Sequence, residues 1–201
     1  MTYAGVTTAD AAVTRIGGVP LAGGDFAWPL CRTCSGNMQF VAQIALDDLE
    51  VDAKQAVLLI FMCQNEPGMC DDWDPSSGGN QALIVPAGLA PATVPGDGET
   101  LMGAVSAVAY ADVEGGYGQA LERWAGQTDR AREVLGQLGG EPAWIQSDET
   151  PACPACGEQM TFVAQLEEGP DYATAANFGG GGCAYAFTCT SCRQAAFLWQ
   201  C

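Results

Sequence analysis

The chain has 201 residues, 48% of them apolar, so it is long enough to bury a substantial core. Its 24 acidic residues outnumber the 7 basic ones and give a net charge of −17 at pH 7. A surface this acidic repels the phosphate backbone of DNA and RNA, which argues against a nucleic-acid partner, and it attracts basic proteins.

The N-terminal stretch MTYAGVTTADAAVTRIGG has no basic segment followed by an apolar one, so it lacks the pattern of a secretory signal. The densest apolar run, AVLLIFMC at 56–63, is far shorter than the ~20 residues that cross a bilayer. We therefore expect a cytoplasmic protein with no membrane association. Because disulfides are rare in a reducing cytosol, the 10 cysteines are first interpreted as metal ligands.

The first half of the chain, about residues 12–86, is predicted to be a repeat built on two strands. CRTCSGNMQFVAQ at 31–43 begins with two cysteines and continues into an alternating segment typical of a half-buried strand. AVLLIFM at 56–62 is uniformly apolar, which predicts a more deeply buried strand. Cys63 and Cys70 follow that strand directly.

The connecting segment, about residues 87–134, begins with a Gly-, Pro- and Ala-rich part at 87–115 that is predicted to be mostly loop, with a short strand around 105–110. Residues 118–140 are predicted to form the main helix, ended by a Gly-Gly pair. A weaker helical stretch at 7–18 precedes the first cysteines and also ends in Gly-Gly. The predicted apolar stripe of the main helix comprises Leu121, Trp124, Ala131, Val134, Leu135 and Leu138.

The second half, about residues 135–201, repeats the first. CPACGEQMTFVAQ at 153–165 begins 122 residues after its counterpart and shares seven of its thirteen residues, which indicates an internal duplication. Further strands are predicted at 184–188 and 195–200, and a second cysteine pair follows the first of them. We therefore predict one compact domain of 1–201, of α+β class and predominantly β, with two pseudo-symmetric repeats.

Each repeat has the cysteine layout of a zinc ribbon, with one pair before a strand and another after the next strand. Because the chain has no histidine, a structural zinc site must consist of cysteines alone. Disulfides or unliganded thiols are the alternative, and the C-x6-C spacing in the first repeat is looser than the C-x2-C spacing in the second. Two structural Zn²⁺ ions are thus expected, one on Cys31, Cys34, Cys63 and Cys70, the other on Cys153, Cys156, Cys189 and Cys192. Cys183 and Cys201 are left unassigned.

Four further residues are candidates for a binding groove between the repeats. Gln43 and Gln165 interrupt apolar strands, either to satisfy neighbouring backbone groups or to contact a ligand. Trp28 and Trp144 are core residues or ligand platforms. The acidic CDDWDP turn at 70–75 lacks the rest of a calcium loop and is predicted to be solvated.

The stretches GGVP…WPLCRTCSGNMQFVAQI and GGEPAWIQ…CPACGEQMTFVAQL…YAFTCTSC…FLWQC resemble the bacterial YwqG-like family, a domain of unknown function. They are also similar to the duplicated repeat of the eukaryotic programmed-cell-death-two proteins. The resemblance covers about residues 14–80 and 135–201. Because those eukaryotic proteins act as dedicated chaperones for a basic ribosomal protein, the similarity implies a protein-binding role. The location of some YwqG-like genes near bacterial toxin genes implies an immunity role as a second option.

Together these features predict a non-catalytic, zinc-stabilised protein that binds a basic partner in a chaperone-like or immunity-like role. The absence of histidine removes the usual general acid–base group, and a zinc with four protein ligands has no open position for water. The alternative is a small-molecule-binding protein or enzyme that uses the groove between the repeats.

Overall fold

The computed structural model describes residues 1–8, 13–49, 55–128, 133–169 and 175–201. These residues are mostly β, with one α-helix and a single 3-10 turn at Leu46–Asp48. The elements, in chain order, are β1 Thr2–Val6, β2 Arg15–Ile16, β3 Gln39–Ala45, β4 Ala56–Met62, β5 Asn80–Pro86, β6 Ser106–Ala109, α1 Tyr117–Thr128, β7 Gly136–Leu138, β8 Thr161–Glu167, β9 Cys183–Cys189 and β10 Gln194–Gln200.

The strands form two sheets, one for each half of the chain. The first half contributes the order β2-β3-β4-β5, and the second half contributes the same order as β7-β8-β9-β10. The N-terminal strand β1 and the connecting strand β6 extend the first sheet beyond β2, so it has six strands. All pairings within these sheets are antiparallel. The repeat seen in the sequence is therefore a repeat of sheet topology.

The register of the strands repeats as well. Arg15 lies opposite Gln43 in the first half, and Gln137 lies opposite Gln165 in the second, 122 positions later in each case. Both halves carry an irregularity at the same place, between Phe40 and Ala42 and between their counterparts 122 residues on. A bulge of this kind bends a strand and is set by the local sequence, here the shared Phe-Val-Ala.

The core is divided into three layers because neighbouring strand residues point to opposite faces of a sheet. In β4, Leu58 and Ile60 enter a central cluster shared with the second sheet, whereas Leu59 and Phe61 enter a separate cluster on the outer face. In β9, Ala186 faces the central cluster and Phe187 faces a third one. One apolar layer therefore joins the two halves, and each half has its own outer layer.

Most of the predicted strands are confirmed, but the main helix is shorter than predicted. Helix α1 is described over Tyr117–Thr128, and Gly136–Leu138, near the end of the predicted helix, forms strand β7 instead. Gly136 has a φ of 127°, and a Cβ there would lie 1.9 Å from the carbonyl oxygen of Gln165, so the backbones approach as in a sheet. Ala131 of the predicted stripe lies outside the described residues.

The weaker helix predicted at 7–18 is also wrong at its end, where Arg15–Ile16 forms strand β2; residues 9–12 lie outside the described part. Strands β1 and β5 were not predicted. Within the described ranges, no helix is sufficiently long and apolar to cross a bilayer.

Candidate functional sites

The two C-x2-C segments form the same tight turn, here called a knuckle. In the first, the Ser35 N–H donates to the Cys31 carbonyl at 2.9 Å, and in the second the Gly157 N–H donates to the Cys153 carbonyl at 2.8 Å. Ser35 and Gly157 both have positive φ, 61° and 79°, a conformation that glycine adopts without strain. Each turn directs both cysteine side chains toward the end of the neighbouring strand, where the second cysteine pair begins.

The eight predicted ligands come together as two groups of four. In each group the four sulfur atoms lie within 4.8 Å of one another: Cys31, Cys34, Cys63 and Cys70 form centre one, and Cys153, Cys156, Cys189 and Cys192 form centre two. Each centre can hold a metal ion. Its ligands come from within one half, as the two-repeat prediction requires.

The sulfur spacing fits tetrahedral coordination. A tetrahedron with metal–sulfur bonds of about 2.3 Å has edges of about 3.8 Å. The Cys34 and Cys63 sulfurs are 3.6 Å apart, and the Cys156 and Cys189 sulfurs are 3.8 Å apart. Both separations greatly exceed the ~2.05 Å of a disulfide bond, and all ten cysteines are unbridged.

Centre one is enclosed by the long loop between β4 and β5. Cys31, Cys63 and Cys70 are each no more than 1% exposed. The Asn65 amide donates to the Cys63 sulfur at 3.5 Å and to the Asn37 carbonyl at 2.9 Å, and it accepts from the Glu99 N–H. Such a hydrogen bond to sulfur favours the thiolate and orients the ligand. The loose C-x6-C spacing thus supplies the extra chain that covers this centre.

Centre two is open to solvent, because only Thr190 to Arg193 connect β9 and β10. Cys156 is exposed.

The thiols of centre two differ in their pKa. The Ser191 hydroxyl and the Cys192 N–H lower the pKa of Cys189 to about 6. The Glu158 N–H lowers the pKa of Cys156, but the neighbouring thiols outweigh it and raise that pKa to about 12. Four thiols this close cannot all ionise unaided, since each new negative charge hinders the next. A bound dication removes that obstacle.

The repeated glutamines perform the same structural task in both halves. Gln43 Oε1 accepts from the Leu21 N–H at 3.3 Å, and Gln165 Oε1 accepts from the Ala143 N–H at 3.0 Å, 122 positions later. Each amide therefore fastens the segment after its Gly-Gly-x-Pro turn to the sheet, as the structural alternative predicted. Any ligand-binding role for these two residues stays a prediction.

The two candidate tryptophans pack on the outer faces of the sheets. Trp28 lies 5.5 Å from the Phe61 ring, edge to face, and its indole N–H donates to the Met38 carbonyl. Trp144 lies 4.4 Å from Tyr185 and 6.0 Å from Phe187, which aligns with Phe61. These contacts are those of core residues.

In the acidic turn, Asp74 accepts hydrogen bonds from the Ser76 and Ser77 N–H groups, and the hydrogen bonds from these two serines lower the pKa of the Asp74 carboxyl.

Sequence reasoning missed a polar cluster in the second half. The Tyr117 hydroxyl donates to Glu167 at 2.8 Å, and the Gln165 amide donates to the Cys183 sulfur at 3.3 Å. Cys183 in turn donates to the Tyr185 hydroxyl at 3.0 Å. Burial raises the pKa of Cys183 to about 11, so this thiol stays protonated at neutral pH. The equivalent positions in the first half are apolar: Ala45 for Glu167, Val57 for Cys183 and Leu59 for Tyr185. Comparing the aligned repeats for such mismatches would have found it.

A cavity of about 820 Å³ opens between helix α1, strand β7 and the segment that precedes α1. Its wall includes Tyr110, Tyr117, Trp124 and Gln137. It is therefore beside the polar cluster of the second half, through Tyr117, and lies away from both metal centres.

Comparison with known proteins identifies the family. The family model described as a domain of unknown function, DUF1963, matches residues 14–191. A segment of 71 residues, 33% of this chain, is 41% identical to the uncharacterized protein YpfL of Salmonella typhimurium, and the match spans 15% of that protein's length. No solved structure matches. The chain belongs to the DUF1963 family.

Proposed function

We propose that this protein is a non-catalytic, zinc-stabilised protein that binds a basic protein partner. The observation that carries the proposal is the pair of complete four-cysteine centres in a chain of net charge −17. The four-cysteine centres support a structural metal in each half, and the negative net charge supports a partner with a basic surface.

Zinc is the metal that best suits these donors. Four thiolates in a tetrahedron favour zinc among the common divalent ions, and short ribbons with two cysteine pairs are its usual hosts. Eight thiolates and two dications leave four negative charges, so metal loading makes the protein still more acidic. Because each ion has four protein ligands, no position is open for water, and zinc-hydroxide chemistry is disfavoured.

The metals are proposed to contribute folding free energy directly. The outer layer of each half is small, and at centre two the four cysteines join the knuckle to the turn between β9 and β10. For sites of this kind, metal-binding free energy is folding free energy. Elemental analysis of protein purified without added metal should give two zinc ions per chain. Replacing Cys156 with Ser should lower this to one, and a folded, metal-free native protein would refute the assignment.

The partner is proposed to be a basic protein, held by long-range attraction to the acidic surface. The motif resemblance to programmed-cell-death-two proteins supports the same idea, because those proteins chaperone a basic ribosomal protein. A chaperone-like role and a toxin-immunity role both suit a basic partner, and the identity of the captured protein would distinguish them.

A salt series tests this proposal. Immobilised protein should retain a basic partner from native lysate at 50 mM salt and lose it progressively towards 500 mM, since the Debye length shortens from about 14 to about 4 Å. An unrelated folded protein of matched net charge serves as the control for non-specific adsorption. Retention of the same proteins by both baits, or of none at any salt, would refute the proposal.

The alternative function, a small-molecule-binding protein or enzyme, is favoured by one observation, the cavity of about 820 Å³. That volume lies within the range of small-molecule sites. Native mass spectrometry of freshly purified protein tests this function, because a retained small molecule of defined mass would support it.

A further inference from the structure

The first half carries a buried cation that the second half lacks. Arg15 is fully buried, and its guanidinium donates to the carbonyls of Gly17 and Val19 at 2.9 and 2.6 Å. It also contacts Gln43 Oε1 at 3.5 Å. The cation therefore ties the Gly-Gly-x-Pro turn to strand β3.

Gln137 occupies the equivalent position in the second half. Its amide donates to Gln165 Oε1 at 3.1 Å and to the Glu141 carbonyl at 2.9 Å. Glu141 is the counterpart of Val19, so the shorter, neutral side chain reproduces two of the three arginine contacts. The fold is thus satisfied without a cation at this position.

The second half also gains a carboxylate where the first half has none. Glu167 replaces Ala45 and is partly buried, and it accepts hydrogen bonds from the Tyr117 hydroxyl at 2.8 Å and the Gln165 amide at 3.5 Å. Burial raises the pKa of this carboxyl. No Lys or Arg side chain of the described residues contacts it. A cation close to a partly buried carboxylate stabilises its charged form.

The cavity opens beside Tyr117, whose hydroxyl binds the Glu167 carboxylate. Gln137 and Tyr117 line it, together with the carboxylate residues Asp48, Asp112 and Glu141 and the ring of Trp124. Among the described residues, no Lys or Arg side chain lines it; its one basic group is the Met1 amino group, which donates to the Gly136 carbonyl. Aromatic faces and carboxylates together favour an organic cation.

We propose that this cavity receives an arginine side chain of the basic partner, beside Gln137 and Tyr117 and facing the carboxylates of Asp112 and Glu141. The inference rests on the proposed function and adds which side chain of the partner enters this protein. Arginine is chosen because Arg15 shows that the repeat accommodates a guanidinium at this position, and because a guanidinium stacks on aromatic rings as well as pairing with carboxylates. A single buried arginine often dominates the binding energy of an interface.

Small probes test the cavity without the partner. Zinc-loaded, ¹⁵N-labelled protein is titrated with N-acetylarginine methylamide and, separately, with its neutral isostere N-acetylcitrulline methylamide. The arginine probe should shift the Trp124 indole and the Gly139 and Gly140 amide signals, and citrulline should not. Glu141→Gln, which removes the charge of a lining carboxylate, should weaken arginine binding about tenfold, the loss of one charge-assisted hydrogen bond. Glu158→Gln, on the exposed second knuckle, is the matched control and should bind like the native protein.

Gln137→Arg supplies the cation from within the chain. It should abolish binding of the arginine probe and reduce retention of the basic partner, with zinc content and circular dichroism unchanged. Equal binding of arginine and citrulline, or unaltered probe binding by Gln137→Arg, would overturn the inference, and Glu141→Gln provides the same test if Gln137→Arg misfolds. Salt-sensitive partner retention that survives both variants would overturn the inference while leaving the proposed function in place. Arginine binding without any basic partner would refute the proposed function and, with it, the assignment of the guanidinium to a partner.

Discussion

The buried Arg15 permits a graded test in which the protein provides its own reference. Arg15→Met keeps much of the side-chain volume but leaves the carbonyls of Gly17 and Val19 without their donor. Arg15→Gln introduces the residue that the second half uses at this position, where Gln137 reaches the equivalents of the Val19 carbonyl and of Gln43 Oε1 but not that of the Gly17 carbonyl. The two variants therefore differ mainly in whether buried acceptors are satisfied.

The expected magnitudes follow from the contacts. Each unsatisfied buried acceptor costs about 1–3 kcal/mol, so Arg15→Met should lower the free energy of unfolding by about 4 kcal/mol. Arg15→Gln keeps two hydrogen bonds and should lower it by about 1–2 kcal/mol. For a chain of this length, one kcal/mol corresponds to about 2–4 °C in Tm. Arg15→Met should thus lose about 8–16 °C and Arg15→Gln about 2–8 °C.

Thermal unfolding of zinc-loaded protein, followed by circular dichroism at pH 7.5, measures both variants. Arg32→Gln is the control, because Arg32 is exposed and has only a 3.5 Å contact with the Ser76 carbonyl; its Tm should be unchanged. If the Met and Gln variants lose the same Tm, Gln137 is not a structural substitute for arginine, and the comparison between the halves is wrong.

Three further predictions concern the metal centres and Glu167. A chelator should remove one zinc quickly and one slowly, because centre two exposes Cys156 whereas centre one is enclosed; a single rate in a dye-release assay would contradict this. Gly79→Ala should cost the zinc of centre one, since a Cβ there would lie 2.1 Å from the Cys70 carbonyl oxygen, whereas Gly96→Ala, which meets nothing within 4 Å, should keep both ions. The change in Tm caused by Glu167→Gln, relative to the native protein, should be more positive at pH 7.5 than at pH 4.5. Burial raises the pKa of this carboxyl, so the native protein loses stability as the pH rises from the pKa of the unfolded state to that of the folded state. Equal changes in Tm at both pH values would contradict this.

The metal centres were the part of the molecule most accessible to prediction. Cysteine spacing reports on the turn that holds the sulfurs, and the same spacing recurs in both halves, so the grouping into two sets of four followed from the sequence. The difference in exposure between the two centres could not be predicted from the sequence, because it depends on how the loop from Gln64 to Gly79 folds back over centre one.

Strand β7 is predicted to be helical because Leu138 and the preceding Leu135 also fit a helical spacing. What decides the conformation is a long-range contact, the close approach of Gly136 to the Gln165 carbonyl, which leaves no trace in local periodicity. The polar cluster was missed for a different reason. Glu167, Cys183 and Tyr185 are unremarkable one at a time, and they stand out only against the apolar residues of the other half.

The central apolar layer has a consequence for either half of the chain on its own. Ile60 from the first sheet and Phe197 from the second share that layer, so neither half covers its inner face alone. A gene encoding a single half would yield a polypeptide with a large exposed apolar surface, whose most favourable remedy is self-association. Either half produced alone should therefore pair with a second copy through its inner face.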